Sequence, residues 1–360
     1  SMPELRALNF DDRDAFFIEH SVRRDTITYW LRDTTLVNQD TLNVELKYMA
    51  TDTLGCLQPQ TDTLQILAKQ PYAKRLKAAQ KEYEDWHKKQ EKKRKRGEEY
   101  DSVMPPKELE FKLAVDSKLD PDRNLHFEFD TPLASADTSK IHLYAKHDTL
   151  WYVAPLRFEP VKQKMWGDSI ATVESKRQYL LRAEWRPGIE YSLEIDSLAF
   201  TDIYGLASKK LKKGFKVGDM DDYSSLVLNI AQLKGENLVV ELLTSEDKAV
   251  KSVHTTNSTA AFYYVRPGKY YARLFVDRNN NGVWDTGDYS ANLQPEEVFY
   301  YPYEIECKAK WDVTLNWNIN EKPLDQQKPE KIKKQKGERQ RKIQQRNMER
   351  ARKMGIAYPF

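Results

Sequence analysis

The sequence predicts a mainly β fold: consecutive antiparallel β-sandwiches joined by a charged helical linker and followed by a basic tail. Apolar and polar residues alternate with a period of two through most of residues 105–320, which is typical of half-buried strands. Turn residues interrupt this alternation at short spacing, as in all-β domains. With 360 residues, 40% of them hydrophobic, the chain is long enough for two or three packed domains.

Residues 1–68 are predicted to form a partial β module that is truncated at its N-terminal side. The segment "TLNVELKYMATDTLGCL", from Thr41 to Leu57, has the same pattern as "EYSLEIDSLAFTDIYGL", from Glu190 to Leu206. In both, an alternating strand is followed by Thr-Asp, two residues and Gly. The later copy has more strand-forming sequence before it than the first, so we expect part of the first sheet to be missing and one edge exposed.

Residues 69–104 are predicted to form a charged helical linker. The segment has no proline between Pro71 and Pro105, many good helix formers and only a thin apolar face. Between Lys74 and Arg96, eleven Lys or Arg residues stand against four Asp or Glu residues. We therefore expect a solvated helix that bridges or flanks the two β modules.

Residues 105–219 and 220–320 are each predicted to form an antiparallel β-sandwich. The first contains "IHLYAKHDTLWYVAPLRFEP" and "QYLLRAEWRPGIEYSLEID", in which alternating segments are separated by Asp-Thr and Pro-Gly turns. The second contains "NLVVELLTSEDKAVKSVH" and "AAFYYVRPGKYYARLFVD", which follow the same logic. Short alternating strands with regular turns favour sandwiches over single sheets.

Residues 321–360 are predicted to be a basic tail. Between Glu321 and Lys353, thirteen Lys or Arg residues stand against five Asp or Glu residues, whereas the whole chain has a net charge of only +3. The globular parts are therefore acidic, and the two basic segments suggest contact with lipid headgroups, polysaccharide or the acidic domains themselves. The alternative is that these segments are simply solvated.

The sequence shows no targeting or membrane-spanning segment. No run of eighteen apolar residues occurs, and "SMPELRALNF" lacks the basic and apolar regions of a signal peptide. Cys56 and Cys307 lie far apart without a CxxC or Cys/His companion, which argues against a zinc site or a disulfide framework.

No catalytic motif is convincing, so we expect no enzyme. The chain lacks GxSxG, HExxH, GxGxxG and GxxxxGK[ST]. The "GDS" at Gly167 to Ser169 leaves a hydrolase as a remote alternative, although no apolar strand leads into it. The "SEDK" at Ser245 to Lys248 fits a hairpin turn better than a nucleophile with its lysine. Glu194 and Asp196 share a strand face, which we expect to be the solvated one.

The segment "DRNNNGVWDTGDY", from Asp277 to Tyr289, has the spacing of an EF-hand calcium loop. Its flanks are predicted strands, so it is no EF-hand, but its oxygen ligands can still converge on calcium. The candidate ligands are the side chains of Asp277, Asn279, Asn281, Asp285 and Asp288, with the carbonyl of Val283. A ligand-free turn remains the alternative, because Asn tolerates positive φ and hydrogen-bonds its own backbone.

Two stretches carry a family resemblance. "VRPGKYYARLFVDRNNNGVWDTGDY" resembles the strand and loop of transthyretin-like (prealbumin-like) sandwich modules of bacterial cell-surface proteins. "LHFEFDTPLASAD" through "EWRPGIEYSLEIDSLAFTDIYGL" resembles the bacterial Ig-like domain of the SbsA type. In module order, the chain resembles the C-terminal part of Ig-like-domain lipoproteins of Bacteroidota. The resemblance covers nearly the whole chain, and its motifs are structural rather than catalytic.

This resemblance implies an outer-membrane lipoprotein of the cell envelope, with a signal peptide, a lipidated cysteine and a first Ig-like domain upstream of Ser1. We expect a non-enzymatic scaffold or binding protein. Its partner would be an envelope protein or an anionic envelope surface, and no nucleic acid is expected. The oligomeric state and the side of the outer membrane remain open.

The alternative function is a surface module that binds carbohydrate or peptide. An exposed row of aromatic side chains would favour stacking on sugars, whereas burial of most of them would favour a plain core. The candidate aromatic residues are Trp151, Tyr152, Trp166, Trp185, Tyr263, Tyr264, Tyr270, Tyr271, Trp284, Tyr300, Tyr301 and Trp311.

Overall fold

The computed structural model describes residues 3–21, 26–115, 117–164, 172–289 and 291–332. The chain divides into two compact units, residues 1–218 and 219–360. Both described units are built mainly from antiparallel sheets, which confirms the predicted fold class.

A three-stranded antiparallel sheet and a separate hairpin form the N-terminal part of the first unit. The strands are β1 (Glu4–Ala7), β2 (Phe16–His20), β3 (Ile27–Leu31), β4 (Thr41–Thr51) and β5 (Leu57–Leu67). The sheet order is β1-β4-β5, and β2 pairs with β3. Within this sheet β5 pairs with β4 alone, so its outer edge is open, as the sequence predicts.

The turn that joins β4 to β5 repeats later in the same unit. Asp52 Oδ1 accepts the backbone N–H groups of Leu54 and Cys56 at 2.9 and 2.8 Å. Asp202 Oδ1 accepts those of Tyr204 and Leu206 at the same two distances, 2.9 and 2.8 Å. Gly55 and Gly205 follow with φ of 84° and 79°. The internal repeat seen in the sequence is therefore a repeat of turn geometry.

The linker contains one 24-residue helix, α1 (Tyr72–Lys95), none of whose residues is buried. Pro71 stands at its N-cap, where a missing N–H costs nothing. Gly97, with φ of 72°, ends it: the Gly97 and Glu98 N–H groups donate to the carbonyls of Arg94 and Lys93. In the described part of the chain no helix is long and apolar enough to cross a membrane.

Residues 109–217 form a sandwich around one core. One sheet has the order β11-β10-β14-β16-β7, the other β12-β13-β8-β6, and β15 pairs with β9. The strands are β6 (Phe111–Ala114), β7 (Lys118–Leu119), β8 (Leu125–Phe129), β9 (Leu133–Ala136), β10 (Ile141–His147), β11 (Leu150–Val153), β12 (Leu156–Lys164), β13 (Thr172–Ala183), β14 (Glu190–Ile195), β15 (Phe200–Asp202) and β16 (Leu211–Val217). Phe127 of one sheet and Leu193 of the other lie in the same buried cluster.

A buried tyrosine fixes the corner that leads into β14. The Tyr191 hydroxyl donates to the carbonyl of Glu184 at 3.2 Å and accepts the N–H of Arg186 at 3.0 Å. A tyrosine hydroxyl bonded to backbone a few residues upstream is a recurrent corner in Ig-like sandwiches. The Tyr191 side chain therefore adds two hydrogen bonds to the "WRPGIEY" segment, whose Gly188 N–H also donates to the Val217 carbonyl at 3.1 Å.

The second unit is another sandwich, with sheets of order β20-β17-β24 and β19-β18-β21-β22; β23 also pairs with β21. Its strands are β17 (Ser224–Ala231), β18 (Leu238–Leu243), β19 (Ala249–Thr255), β20 (Thr259–Val265), β21 (Gly268–Val276), β22 (Val298–Tyr300), β23 (Ile305–Cys307) and β24 (Asp312–Asn318). Leu228, Val240, Leu274 and Trp317 meet in the core. β24 pairs with β17 in parallel, an exception to the antiparallel prediction.

Residues 321–332 pack onto this sandwich, so the packed module extends past the predicted boundary at residue 320. Ile332 is fully buried, in a small cluster with Leu243 and Tyr271. Gln327 is buried as well, and its amide donates to the carbonyls of Ile319 and Lys322 at 2.7 and 3.0 Å. The segment therefore covers Leu243 and Tyr271 on the sheet face that lies opposite the main core.

Candidate calcium loop

The candidate loop connects β21 to β22 and begins with a buried aspartate. Asp277 is only 1% exposed, although it immediately follows the last residue of β21. Its Oδ1 accepts the N–H of Asn281 at 3.0 Å, and its Oδ2 accepts the N–H of Gly282 at 2.7 Å. The Asp277 carboxylate therefore satisfies two backbone N–H groups of the loop that lie outside the strand ladder.

The two asparagines turn their amide nitrogens toward Asp285. Nδ2 of Asn279 and Nδ2 of Asn281 donate to the same Asp285 oxygen at 2.5 and 2.9 Å. Their amide oxygens accept the N–H groups of Asn281 and Val283 at 3.1 and 2.7 Å. The loop is thus closed by its own hydrogen bonds, in the manner of a ligand-free turn.

A glutamate that the sequence analysis missed completes the loop. Glu296 is buried, and its two carboxylate oxygens accept the N–H groups of Arg278 and Asp285 at 2.8 and 3.1 Å. Its carbonyl accepts the indole N–H of Trp284 at 2.9 Å. Glu296 lies eight residues after Asp288, the last predicted ligand, so the spacing of the motif does not include it. The one sequence signal for Glu296 is its position as an acidic residue just before β22.

The remaining predicted ligands have separate roles. Asp288 exchanges backbone hydrogen bonds with Leu293 at 3.1 and 2.8 Å, and its Oδ1 accepts the N–H of Ala291 at 3.1 Å, which closes a neighbouring turn. The side chain of Val283 is exposed. Hydrogen bonds therefore join five of the six predicted residues in one network: Asp277, Asn279, Asn281, Val283 and Asp285.

Two glycines allow the loop to pack closely. Gly282 has φ of 77°, and a Cβ there would lie 2.9 Å from Cε1 of His254 on β19. Gly287 has φ of 83°, and a Cβ there would lie 2.5 Å from the carbonyl oxygen of Leu293. A side chain at either position would add a steric clash to an unfavourable backbone conformation.

Three carboxylates surround this loop, those of Asp277, Asp285 and Glu296. The hydrogen bonds that hold them come from neutral N–H groups of the backbone and of asparagine amides. Within the described ranges, no three His, Cys, Asp or Glu side chains converge as a metal site would require. Calcium could be held here only if the amides of Asn279 and Asn281 turned their oxygens inward, because calcium takes oxygen ligands.

The other candidate motifs have structural roles or lie outside the described residues. The turn at Ser245 to Lys248 joins β18 to β19, with Thr244 N–H bonded to the Lys248 carbonyl at 2.9 Å, which confirms the predicted hairpin. The "GDS" at 167–169 lies outside the described residues. Glu194 forms an ion pair with Lys212 at 2.7 Å, and the hydrogen bond from that ammonium lowers the pKa of Glu194.

A shallow, open cavity of about 370 Å³ lies beside β6 and β16. Its lining residues are Glu108, Leu109, Glu110, Phe111, Leu113, Lys209, Lys210, Leu211 and Lys213. Glu108 and Lys209 form an ion pair across it. This lining offers charge pairing and a small apolar floor, with no nucleophile set beside a base.

The candidate aromatic residues are divided between core and surface. Trp185, Tyr271 and Tyr301 are buried, whereas Trp151 and Tyr152 on β11 are 47% and 52% exposed. Adjacent residues of a strand point to opposite faces, so these two rings do not form one stacking row. Of the pair Tyr270 and Tyr271, Tyr270 packs against the main core and Tyr271 packs against Ile332 on the other face of the sheet. Trp166 lies outside the described residues.

No protein-family model matches the chain, and no curated protein matches it. Among solved structures, it is similar to native alpha-2-macroglobulin from Escherichia coli spanning domains MG0-NIE-MG1, at 15% identity and a TM-score of 0.26, covering 54% of this chain and 71% of that one. BcpA, the major pilin subunit of Bacillus cereus, is 10% identical with a TM-score of 0.20, covering 77% and 85%. TM-scores this low do not inform the function of the chain.

Proposed function

We propose that this chain is a non-enzymatic scaffold or binding protein of the bacterial cell envelope. The SbsA-type Ig-like and transthyretin-like motifs support an outer-membrane-associated lipoprotein of Bacteroidota. Each sandwich has a well-packed core, which suits a rigid spacer. The partner is an envelope protein or an anionic envelope surface.

One observation carries the binding role: the open edge of β5. This strand is 11 residues long, and all of its residues except Asp62 are exposed. Leu64 and Ile66 lie opposite Val44 and Leu42 in the register with β4, so they extend a buried apolar face to the edge. An unpaired, apolar edge is a template for an added strand.

Crosslinking of the protein in its native envelope, followed by identification of what it holds, tests this function. A scaffold should be recovered with a defined envelope component. Recovery of nothing beyond the bulk membrane proteins would argue against a specific assembly.

We also propose that the 277–288 loop binds calcium. The carboxylates of Asp277, Asp285 and Glu296 lie around one tight loop, and neutral N–H groups are their partners. A divalent cation would pair with the negative charges of Asp277 and Asp285. Asp277 and Asp285 would be the charged ligands, and the asparagine amides would have to rotate. The ligand-free turn is the competing account.

A further inference from the structure

Helix α1 carries a narrow apolar seam with the spacing of a coiled coil. Along it, steps of four and three residues alternate, which keeps the side chains on one face when helices supercoil. The seam residues are Tyr72, Leu76, Ala79, Tyr83, Trp86 and Gln90. In a heptad, Leu76, Tyr83 and Gln90 take position a, whereas Tyr72, Ala79 and Trp86 take position d.

The seam is open over most of its length. Tyr72, Leu76 and Tyr83 are 39%, 45% and 52% exposed, and Trp86 is half-buried. The rings of Tyr83 and Trp86 lie 6.0 Å apart, so they form a continuous surface. At the last seam position, the Gln90 side chain accepts the N–H of Asp101 at 3.1 Å.

The helix is fixed at its start and is therefore a defined surface rather than a free peptide. The N–H of Tyr72 donates to the side chain of Asp40 at 2.6 Å, and the Arg75 guanidinium donates to the carbonyl of Val37. Near the middle, Lys107 lies 3.9 Å from Glu82. These contacts hold the helix along one flank of the seam, whereas Leu76 and Tyr83 in the seam stay exposed.

The charge of the helix selects the partner. Eleven Lys or Arg residues stand against four Asp or Glu residues between Lys74 and Arg96. The g positions, which flank the seam and pair with charges on a partner helix, are Arg75, Glu82 and Lys89. Arg75 donates to the Val37 carbonyl and Glu82 lies near Lys107, so we take Lys89 as the g residue that pairs with a partner. A second copy of the same helix would bring like charges together, so complementarity favours acidic flanks on the partner.

The width of the seam argues for a helix rather than a membrane surface. A helix that lies in a membrane interface needs a wide apolar face opposite a strongly polar one, so that the apolar face can sink into the lipid. Here one or two apolar residues per turn form a stripe of coiled-coil width, and Lys81 and Lys88 lie on the opposite face.

We propose that α1 docks an acidic amphipathic helix of a partner protein. The partner packs its own apolar seam against Leu76, Tyr83 and Trp86 and sets an acidic side chain beside Lys89. This proposal gives the chemical class of one partner of the proposed scaffold. The proposal rests on the surface of α1 and does not depend on the β5 edge.

The test uses the full chain and a synthetic helical peptide with Leu at a and d and Glu at e and g. Isothermal titration at physiological ionic strength measures binding, and a peptide with Lys at e and g is the control. The Glu peptide should bind and the Lys peptide should not. Bound Glu peptide should also slow trypsin cleavage of α1 in the unmodified protein.

Matched variants separate packing from charge. Leu76→Gln with Tyr83→Gln should weaken binding about tenfold or more, because anchors in the centre of an interface dominate its energy. Lys81→Gln with Lys88→Gln, on the opposite face, should weaken it less than about threefold because salt screens distant charges. Both pairs replace exposed residues with a good helix former, and circular dichroism checks that the helix is kept.

Three results would overturn the proposal. One is the absence of Glu-peptide binding, and another is an equal loss in both variant pairs, which would indicate simple charge attraction. The third is that phosphatidylglycerol vesicles bind through the seam residues more tightly than the peptide does, which would make α1 a membrane anchor. None of these results would bear on the proposed scaffold function, because that function rests on the β5 edge and is tested separately by crosslinking.

Discussion

At the scale of single residues, aspartates that accept backbone N–H groups shape the turns of this protein. Asp52, Asp202 and Asp277 each accept two such donors within five residues of their own position. The first two belong to the sequence repeat, whereas the third opens the candidate calcium loop. Asp52 and Asp202 show that this arrangement of hydrogen bonds can shape a turn that has no proposed ligand. A calcium-binding measurement therefore decides whether Asp277 is a calcium ligand or only a turn residue.

Calcium should raise the melting temperature of the second unit by several degrees relative to chelator. A ligand that binds only the folded state at a hundredfold excess over its Kd adds about 2.7 kcal/mol of stability. Extracellular calcium modules bind with Kd on the order of 10⁻⁴ to 10⁻³ M, so a hundredfold excess requires calcium at about 10 to 100 mM. Differential scanning calorimetry of the unmodified protein measures this shift.

Asp277→Asn with Asp285→Asn should abolish the calcium-dependent shift and keep the unit folded. Asparagine retains one oxygen to accept the N–H groups of Asn281 or Gly282, but it removes the charge that calcium needs. Asp312→Asn, at an exposed position of β24, is the charge-matched control. Identical melting of the unmodified protein in calcium and in chelator would show that the loop is a ligand-free turn.

Glu304 should make the second unit less stable in acid. Hydrogen bonds from Lys269, Lys331 and Tyr271 lower the pKa of Glu304 from 4.5 to about 2. A carboxyl whose pKa is lower in the folded state stabilises that state above its unfolded pKa and loses the effect as pH falls through its folded pKa. Glu304→Gln should therefore be less stable than the unmodified protein at neutral pH.

That difference should shrink between pH 4.5 and about 2, the window set by the two pKa values of Glu304. Urea unfolding at neutral and at acid pH measures it. A difference that stays constant across this window would mean that Glu304 acts through packing and not through its charge.

At the scale of elements, we expect the helix α1 to be open to proteolysis. Its residues are all at least partly exposed, and it carries many sites for trypsin. We expect limited trypsin digestion to cut within α1 and to release a stable fragment that begins near Pro105. If residues 1–70 stay linked to 105–218 after other described loops have been cut, α1 is a packed structural helix.

The strands, the linker helix and the turns could be predicted from the sequence because their signals are local. Alternation marks β8 and β14, helix formers mark α1, and Asp-x-x-Gly marks the repeated turns. Glu296 and Ile332 could not be predicted, because each acts through contacts with residues distant in sequence. A polar, Lys-rich segment such as 321–332 shows no periodicity, so its single apolar anchor gives no signal.

At the scale of the whole molecule, the N-terminal part should add little to the stability of the first sandwich. The large core of that unit is made of residues 109–217, and the small cluster around Leu36 and Leu42 is separate from it. Arg177 of the sandwich contacts the N-terminal part: its guanidinium carbon lies 5.2 Å from the centre of the Trp30 ring, and its Nη1 lies 4.0 Å from Oε2 of Glu19. Contacts of this kind contribute about 0.5–1 kcal/mol when partly exposed.

Removal of residues 1–68 should therefore leave the main melting transition of the first unit nearly unchanged in calorimetry. Arg177→Gln in the full chain is the matched control, because it removes the contacts with Trp30 and Glu19 together with one hydrogen bond to the Phe129 carbonyl. A large fall of the transition after truncation, beyond that of Arg177→Gln, would show that the N-terminal strands complete the core of the sandwich.

The most direct test of the scaffold is to block the β5 edge and repeat the crosslinking in the native envelope. Leu64→Lys with Ile66→Lys places charge on the apolar face of that edge, which disfavours strand addition. Thr61→Lys with Thr63→Lys adds the same charge to the opposite face, where the partners across β4 are Lys47 and Glu45. We expect the first pair to lose the crosslinked partner and the second pair to keep it. Equal recovery of the partner with both pairs would contradict a scaffold that binds through β5.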